Sequence, residues 1–366
     1  MMFDRRLLLN FDFSLYFFAC ALALLGVFGI YSTASSPATL FKKVFYLKQL
    51  LWFAIGSGAL FLVSTLNYRT VARFAYPFYG LSIFGLFLVD LFGKQGLGAQ
   101  RWLQLGSLTL QPSEFVKLAL ILALARYFDD HKEELGKYKT FLVPSLMTMA
   151  PMALVIKQPD LGTAFLLLFI SITLFSLVGL RPRHLLYLIA GGLLSAPLLW
   201  SILKSYQRQR ILVFLNPNLD PLGAGYHITQ SKIAVGSGGF WGKGFLATSQ
   251  SQLNFLPESH TDFIFAVLAE QWGFLGSILI LILYLALISR ALDIAKEAKD
   301  VLAFILSIGI VSMITLQVVI NVGMVMGIMP VVGIPLPLMS YGGSSMLATM
   351  MAIGLLLGIR MRRFLY

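Results

Sequence analysis

Apolar stretches of about 20 residues, the length that crosses a bilayer as a helix, recur along the whole chain. Short polar segments separate them. The pattern predicts an all-α, polytopic integral membrane protein that forms one membrane domain, with a large loop at about 204–261 between spans seven and eight. The ten predicted spans are 12–33, 46–66, 74–92, 113–128, 139–156, 162–179, 183–203, 262–289, 301–327 and 340–360.

Basic residues concentrate in alternate connections between these spans. Before the first span they are Arg5 and Arg6, and in later connections Arg69, Arg73, Lys132, Lys137, Lys139, Arg181, Arg183, Arg290, Lys296, Lys299, Arg360, Arg362 and Arg363. If ten spans are counted, all of these segments fall on one side. The positive-inside rule then places both termini in the cytoplasm and the large loop outside.

The composition supports a membrane protein, because 58% of the residues are hydrophobic and only 12% are charged. The net charge of +12 would suggest a nucleic-acid partner in a soluble protein. Here the basic connections account for it, so no nucleic-acid partner is expected. The single cysteine, Cys20, excludes an intramolecular disulfide.

The most polar block before an apolar span is Pro257–Asp262. Asp262 could cap the helix of span eight, with Ser259 or Thr261 as rivals for that role. It could also act as a general base, because partial desolvation at a membrane interface raises a carboxyl pKa toward neutrality. Glu270 lies about two turns further along and near the same face.

Three other polar segments are predicted on the same side of the membrane. Arg101 beside Trp102 suits a pyrophosphate at headgroup level. Glu114 and Lys117 are spaced for an ion pair on one helix face, which is either structural or the wall of a polar cavity. Asp160 either caps span six or faces that cavity.

Two segments are rich in glycine or proline. Gly236–Phe245 is either a flexible hairpin or a ligand cradle, and its spacing does not match a phosphate-binding P-loop. Gly333–Ser345, which contains Ser340 and Tyr341, predicts an irregular or re-entrant segment that lines a cavity.

Together these segments resemble the SEDS family (shape, elongation, division and sporulation proteins), and within it the rod-shape branch. The resemblance runs in order over nearly the whole chain. It is carried by Gly98–Trp102, Gln111–Lys117, Lys157–Ala164, Gly225–Gly244, Thr248–Leu253, Leu256–Glu270 and Gly333–Ser345.

The resemblance implies a peptidoglycan glycosyltransferase that polymerises lipid II at the outer face of the bacterial inner membrane during cell elongation. It also implies a class B penicillin-binding protein as cross-linking partner and an elongation machinery with an MreB-type cytoskeleton. The essential aspartate of the family maps onto Asp262. A lipid II flippase and a non-catalytic scaffold for the penicillin-binding protein are the alternatives.

On this hypothesis Asp262 is the base, and Arg101, Lys117 and Arg208 or Arg210 stabilise the pyrophosphate charge. A divalent cation, Mg or Mn, could share that role, although no motif demands one. The remaining predicted substrate-binding residues are Glu114, Asp160, Glu270, Ser340 and Tyr341.

Overall fold

The computed structural model describes most of the chain as one helical bundle. The described residues are 10–34, 43–96, 99–106, 108–180, 205–216, 219–220, 223–246 and 258–363, with single positions at 183, 194 and 201. Most of predicted span seven, 183–203, and the whole of Thr248–Leu253 lie outside them.

Twelve α-helices and three β-strands form in the described part. The helices are α1 (Phe13–Ala34), α2 (Lys43–Thr65), α3 (Tyr68–Arg73), α4 (Ala75–Phe92), α5 (Pro112–Asp130), α6 (Leu142–Lys157), α7 (Leu161–Val178), α8 (Ser205–Leu215), α9 (Ala224–Ser237), α10 (Ile264–Lys296), α11 (Val301–Val325) and α12 (Gly343–Arg362). The strands are β1 (Lys94–Gly96), β2 (Ala99–Leu105) and β3 (Leu108–Leu110).

The helical prediction is confirmed, since nine of the predicted spans coincide with helices in this part of the chain. Eight of these helices are long and apolar enough to cross a membrane. The ninth, α5, carries Glu114, Lys117 and Arg126, and it lies inside the bundle against α4, α7, α11 and α12. Neighbouring helices, rather than lipid, therefore surround most of its surface.

A small antiparallel sheet, in the order β1-β2-β3, was not predicted. It occupies the connection between α4 and α5, and Leu103 pairs with Leu110 across β2 and β3. The adjacent strands satisfy each other's backbone groups across this connection. The sheet positions Arg101, which lies on β2.

The two ends of the bundle differ in character. The sheet end holds the strands, the starts of α5, α7, α10 and α12, and the connection 326–342. At the opposite, basic end, Arg69 pairs with Asp300 at 2.7 Å, and the buried Arg362 donates to the carbonyl oxygens of Ser64 and Thr65. This separation agrees with the predicted grouping of basic connections on one side.

The predicted loop 204–261 contains two helices, α8 and α9. The second of these, α9, includes Tyr226–Val235. Ser231 fastens it to the end of α11, because its Oγ donates to the Val325 carbonyl oxygen at 2.7 Å.

The glycine-rich segment after α9 is held against α10 by backbone hydrogen bonds. It packs where α10 breaks at Gly273, which has φ +63° and ψ −156°. The amides of Lys243 and Gly244 donate to the carbonyl oxygens of Glu270 and Gln271 at 3.0 Å each. These bonds satisfy backbone groups that the break releases. Predicted span eight is therefore two helical pieces joined at Gly273.

Candidate functional site

Asp262 lies in the turn 258–263 that leads into α10. The helix begins after Phe263, and no side chain caps it. The interpretation of Asp262, Ser259 or Thr261 as the helix cap is therefore wrong. Thr261 is instead held within the turn, where its Oγ1 lies 3.0 Å from a carboxylate oxygen of Glu258.

Two distant parts of the chain, which carry Gly333 and Arg101, meet at the Asp262 carboxylate. A Cβ atom at Gly333 would lie 3.3 Å from Asp262 Oδ2 and 3.8 Å from Arg101 Nη1. The carboxylate and the guanidinium therefore face the same glycine. Gly333 also has φ +73°, in the left-handed region that favours glycine.

Arg101 is fixed by the turn before α7. Its guanidinium donates to the Pro159 carbonyl oxygen, and its Nη1 lies 3.8 Å from Asp160 Oδ1. Asp160 in turn caps α7, because it accepts bonds from the Thr163 amide at 3.2 Å and the Thr163 hydroxyl at 2.9 Å. The interpretation of Asp160 as the cap of span six is therefore confirmed, and its carboxylate also lies near the arginine.

The surroundings of Asp262 raise its pKa to about 6. Burial is the largest cause, and the negative charge of Glu258 adds to it. The positive charges of Arg101 and Arg210 oppose the shift, and Asp160 reinforces it. The side chain nevertheless keeps some exposure, so a bound molecule can reach it.

Of the two arginines predicted from the large loop, Arg210 belongs to this group. Its Nη1 donates to the Val331 carbonyl oxygen at 3.3 Å, two residues from Gly333. Arg208 instead donates to the carbonyl oxygen of Ser201 at 2.6 Å. The structure therefore brings together Asp262, Arg101, Asp160 and Arg210 of the predicted residues.

Ser340 and Tyr341 form hydrogen bonds to the backbone of the turn that carries Asp262. The Ser340 hydroxyl donates to the Thr261 carbonyl oxygen at 2.6 Å, and the Tyr341 amide donates to the His260 carbonyl oxygen at 2.9 Å. The Tyr341 and His260 rings lie 5.7 Å apart. Both residues thus contact the turn that carries Asp262, and the Tyr341 ring also lies 5.0 Å from that of Phe45.

The remaining predicted residues form two separate ion pairs. Glu114 and Lys117 are both buried on α5, with 2.8 Å between their charged atoms. Glu270 is fully buried and accepts from Lys243 at 2.7 Å. Glu114 and Glu270 are thus each paired with a different lysine. This agrees with the interpretation of Glu114 and Lys117 as a structural ion pair.

The described residues contain no group of three or more His, Cys, Asp or Glu that could hold a metal ion. The charges nearest Asp262 include two arginines, which suit an anionic ligand directly. The donor set therefore does not fit an ion held by the protein alone, and a divalent cation stays a prediction.

Sequence reasoning named Gly333 only as the start of the segment Gly333–Ser345, and it did not identify Asn321 at all. Asn321 is fully buried in the apolar helix α11 and donates to the Asp262 carbonyl oxygen at 3.0 Å. A lone asparagine in an apolar span was the available signal, because such residues are costly unless they are used.

Comparisons with known proteins match this architecture. Residues 13–364 match the model of a family described as cell cycle proteins, FtsW/RodA/SpoVE. The peptidoglycan glycosyltransferase MrdB of Escherichia coli K12 is 44% identical over 313 residues, which cover 85% of this chain and 84% of that protein. The peptidoglycan glycosyltransferase RodA of Treponema pallidum is 35% identical, covering 97% of this chain and 98% of that one.

Two solved structures are similar over 97% of this chain and 98% of theirs. One comes from a study of how a peptidoglycan synthase complex coordinates polymerization and crosslinking, with a TM-score of 0.82 and 36% identity. The other is the rod shape determining protein RodA of Thermus thermophilus, with a TM-score of 0.73 and 32% identity.

Proposed function

Because this chain belongs to the FtsW/RodA/SpoVE family of cell cycle proteins, we propose that it polymerises lipid II with Asp262 as the general base. It is a multi-pass membrane protein and a peptidoglycan glycosyltransferase of the elongation type.

The reaction joins two lipid-linked sugars. The 4-hydroxyl oxygen of the acceptor GlcNAc attacks the anomeric carbon of the donor sugar and forms the glycosidic bond. The bond from that carbon to the pyrophosphate oxygen breaks, and undecaprenyl pyrophosphate leaves with the electron pair. Asp262 accepts the hydroxyl proton, so each atom and charge has a destination.

One observation carries the assignment of the base. Asp262 faces Gly333 together with Arg101, and its pKa is about 6. Such a carboxylate is ionised at neutral pH yet is a stronger base than an ordinary aspartate. Glycine at position 333 keeps a side chain from crowding the carboxylate, since an added Cβ would lie 3.3 Å from Asp262 Oδ2.

Positive charge at the same place suits the leaving group. Arg101 and Arg210 are candidates to stabilise the pyrophosphate, since guanidinium groups bind phosphate oxygens in a bidentate manner. Lys117 is already paired with Glu114, which makes it a weaker candidate. A good leaving group needs no general acid, which agrees with a single base at the site.

We place the sheet end, and with it the site, at the outer face of the bacterial inner membrane. The basic connections at the opposite end support this orientation. The similar synthase complex supports a cross-linking partner, for which a class B penicillin-binding protein is our proposal. An MreB-type cytoskeleton on the cytoplasmic side remains a prediction.

The test is polymerisation of purified lipid II, resolved as glycan ladders on a gel. Wild type, Asp262→Asn and Asp90→Asn are each co-purified with the penicillin-binding partner. Asp90 is the matched control, because it also lies toward the sheet end but pairs with Lys157. We expect ladders from wild type and Asp90→Asn, and none from a folded Asp262→Asn protein.

Equal ladders from wild type and Asp262→Asn would remove this carboxylate from the mechanism. If neither made ladders while the complex moved lipid II between leaflets, the flippase alternative would replace the proposal.

A further inference from the structure

The turn that carries Asp262 is held from outside through three successive carbonyl oxygens. The His260 oxygen accepts from the Tyr341 amide, and the Thr261 oxygen accepts from the Ser340 hydroxyl. The Asp262 oxygen accepts from the side chain of Asn321. These carbonyl groups lie outside any helix or sheet, so each depends on a donor of this kind.

Asn321 differs from the other two donors because it joins two segments at once. Its Nδ2 donates to the Asp262 carbonyl oxygen at 3.0 Å and to the Ile334 carbonyl oxygen at 2.8 Å. An amide nitrogen has two hydrogens, so both are used. The side chain has no exposed surface and projects from a helix that is apolar over most of its length.

We propose that Asn321 is a positioning residue that holds the base against the segment carrying Gly333. This inference rests on the proposed function of Asp262. Ile334 follows Gly333 directly, so the bridge fixes the glycine that both the Asp262 carboxylate and Arg101 face. Without the bridge the two segments can separate and admit water to the carboxylate.

Loss of the bridge therefore changes the chemistry of the base as well as its position. Burial is the largest cause of the raised pKa, so hydration lowers the pKa of Asp262 toward its ordinary value. The charged groups that face it, Glu258, Arg101, Arg210 and Asp160, keep their identities in the variant.

Gln317 provides a matched control one turn earlier on α11. It is 1% exposed, and neither amide atom has a hydrogen-bond partner among the described residues. Gln317→Leu thus removes a buried amide of the same helix without removing a bridge. Asn321→Leu removes the bridge while keeping the number and branching of the side-chain heavy atoms, and Asn321→Ser keeps one donor in a smaller side chain.

The experiment measures the rate of lipid II polymerisation at saturating substrate from pH 5 to pH 8. It uses the full chain co-purified with the penicillin-binding partner, and thermal unfolding of each variant confirms folding. We expect Asn321→Leu to lower kcat ~10- to 100-fold and to move the acid limb to lower pH, with KM changed less. Asn321→Ser should show a smaller change in both, and Gln317→Leu should match wild type.

Asp262→Asn separates the two hypotheses. If it is inactive while Asn321→Leu behaves like Gln317→Leu, the positioning role is overturned and the proposed function stands. If Asp262→Asn is active, both are overturned. A loss of kcat without a shift of the acid limb would also overturn the inference, because a purely structural defect predicts that result. Should Asn321→Leu not fold, Asn321→Ser decides by the same criteria.

Discussion

A carboxylate is a useful base near neutral pH only where its surroundings oppose its charge without abolishing it. Asp262 meets this condition through burial and Glu258, which raise its pKa, and through Arg101 and Arg210, which limit the rise to about 6. The base therefore gains its strength from residues far from it in sequence. Each of them can be altered to move the pKa in a known direction.

Activity should depend on pH through this group. Asp262 must be ionised to accept a proton, so the rate should rise as pH increases through about 6. Arg101→Gln removes a cation that favours the ionised form, so the pKa of Asp262 should rise further. We expect the acid limb to move to higher pH and KM for lipid II to increase. Initial rates measured across this pH range check both effects.

Arg101→Lys is the comparison for that variant. It keeps the charge but loses the fork that reaches the Pro159 carbonyl oxygen and Asp160 together. Its acid limb should therefore lie nearer to wild type. A profile for Arg101→Gln that moved to lower pH would contradict the electrostatic account.

Residue chemistry was predictable in part. Asp262, Arg101 and Asp160 were visible because charged residues are rare beside apolar spans. Their convergence with Gly333 was not, since it depends on irregular backbone at 326–342 that carries no periodic pattern. Arg208 and Arg210 were indistinguishable in sequence, because the direction of each side chain depends on the packing of α8.

At the scale of elements, the break in α10 explains the glycine-rich segment. The first piece of the helix, Ile264 to Gln271, is entirely buried, whereas the piece after Gly273 has several exposed apolar side chains. The amides at 243 and 244 reach the open carbonyl groups at the break, and the Phe274 amide donates to the Gly239 carbonyl oxygen at 2.9 Å. The large loop is thereby fastened to the helix that follows Asp262.

The hydropathy pattern predicted one continuous span at 262–289, and the break at Gly273 was not predicted. Gly273 sits within an apolar run, where a glycine is usually tolerated without a break. The glycine-rich segment Gly236–Phe245 could be recognised in the sequence. Its hydrogen bonds to Glu270 and Gln271 could not, because they join residues far apart in the chain and leave no local pattern.

Gly273→Ala should destabilise the protein. Its backbone conformation is almost restricted to glycine, and an added Cβ would lie 2.3 Å from the Gly242 nitrogen. We expect a loss of ~1–3 kcal/mol or more, seen as a lower Tm in detergent, together with reduced polymerisation. Gly80→Ala is the control, because no atom lies within 4 Å of its added Cβ. Equal Tm values for the two variants would contradict this prediction, because they would show that position 273 accepts a Cβ atom without loss of stability.

At the scale of the whole molecule, the basic connections and the candidate site lie at opposite ends of the bundle. Arg69 pairs with Asp300 and Arg362 bonds to Ser64 at the basic end, whereas Asp262 and Arg101 meet at the sheet end. Hydropathy and basic residues together predicted this polarity, because both follow from the bilayer as solvent. The sheet was not predicted, since its strands are short and lie between two spans.

The orientation can be tested by cysteine labelling in spheroplasts. Thr109 and Lys139 are exposed near opposite ends of α5, and Cys20→Ala removes the native thiol. A membrane-impermeant maleimide should label Thr109→Cys in intact spheroplasts and Lys139→Cys only after lysis. The reverse pattern would place the base in the cytoplasm and contradict the proposed reaction at the outer face.

The dependence of the site on Gly333 has a consequence for the timing of synthesis. A ribosome makes the chain from the N-terminus, so Arg101 and Asp262 enter the membrane before the segment that brings them to a common surface. A nascent or truncated chain that ends before residue 333 therefore carries the base and its cation without an assembled site. Assembly of the site therefore has to wait for the segment that carries Gly333, which is made shortly before α12 begins at Gly343.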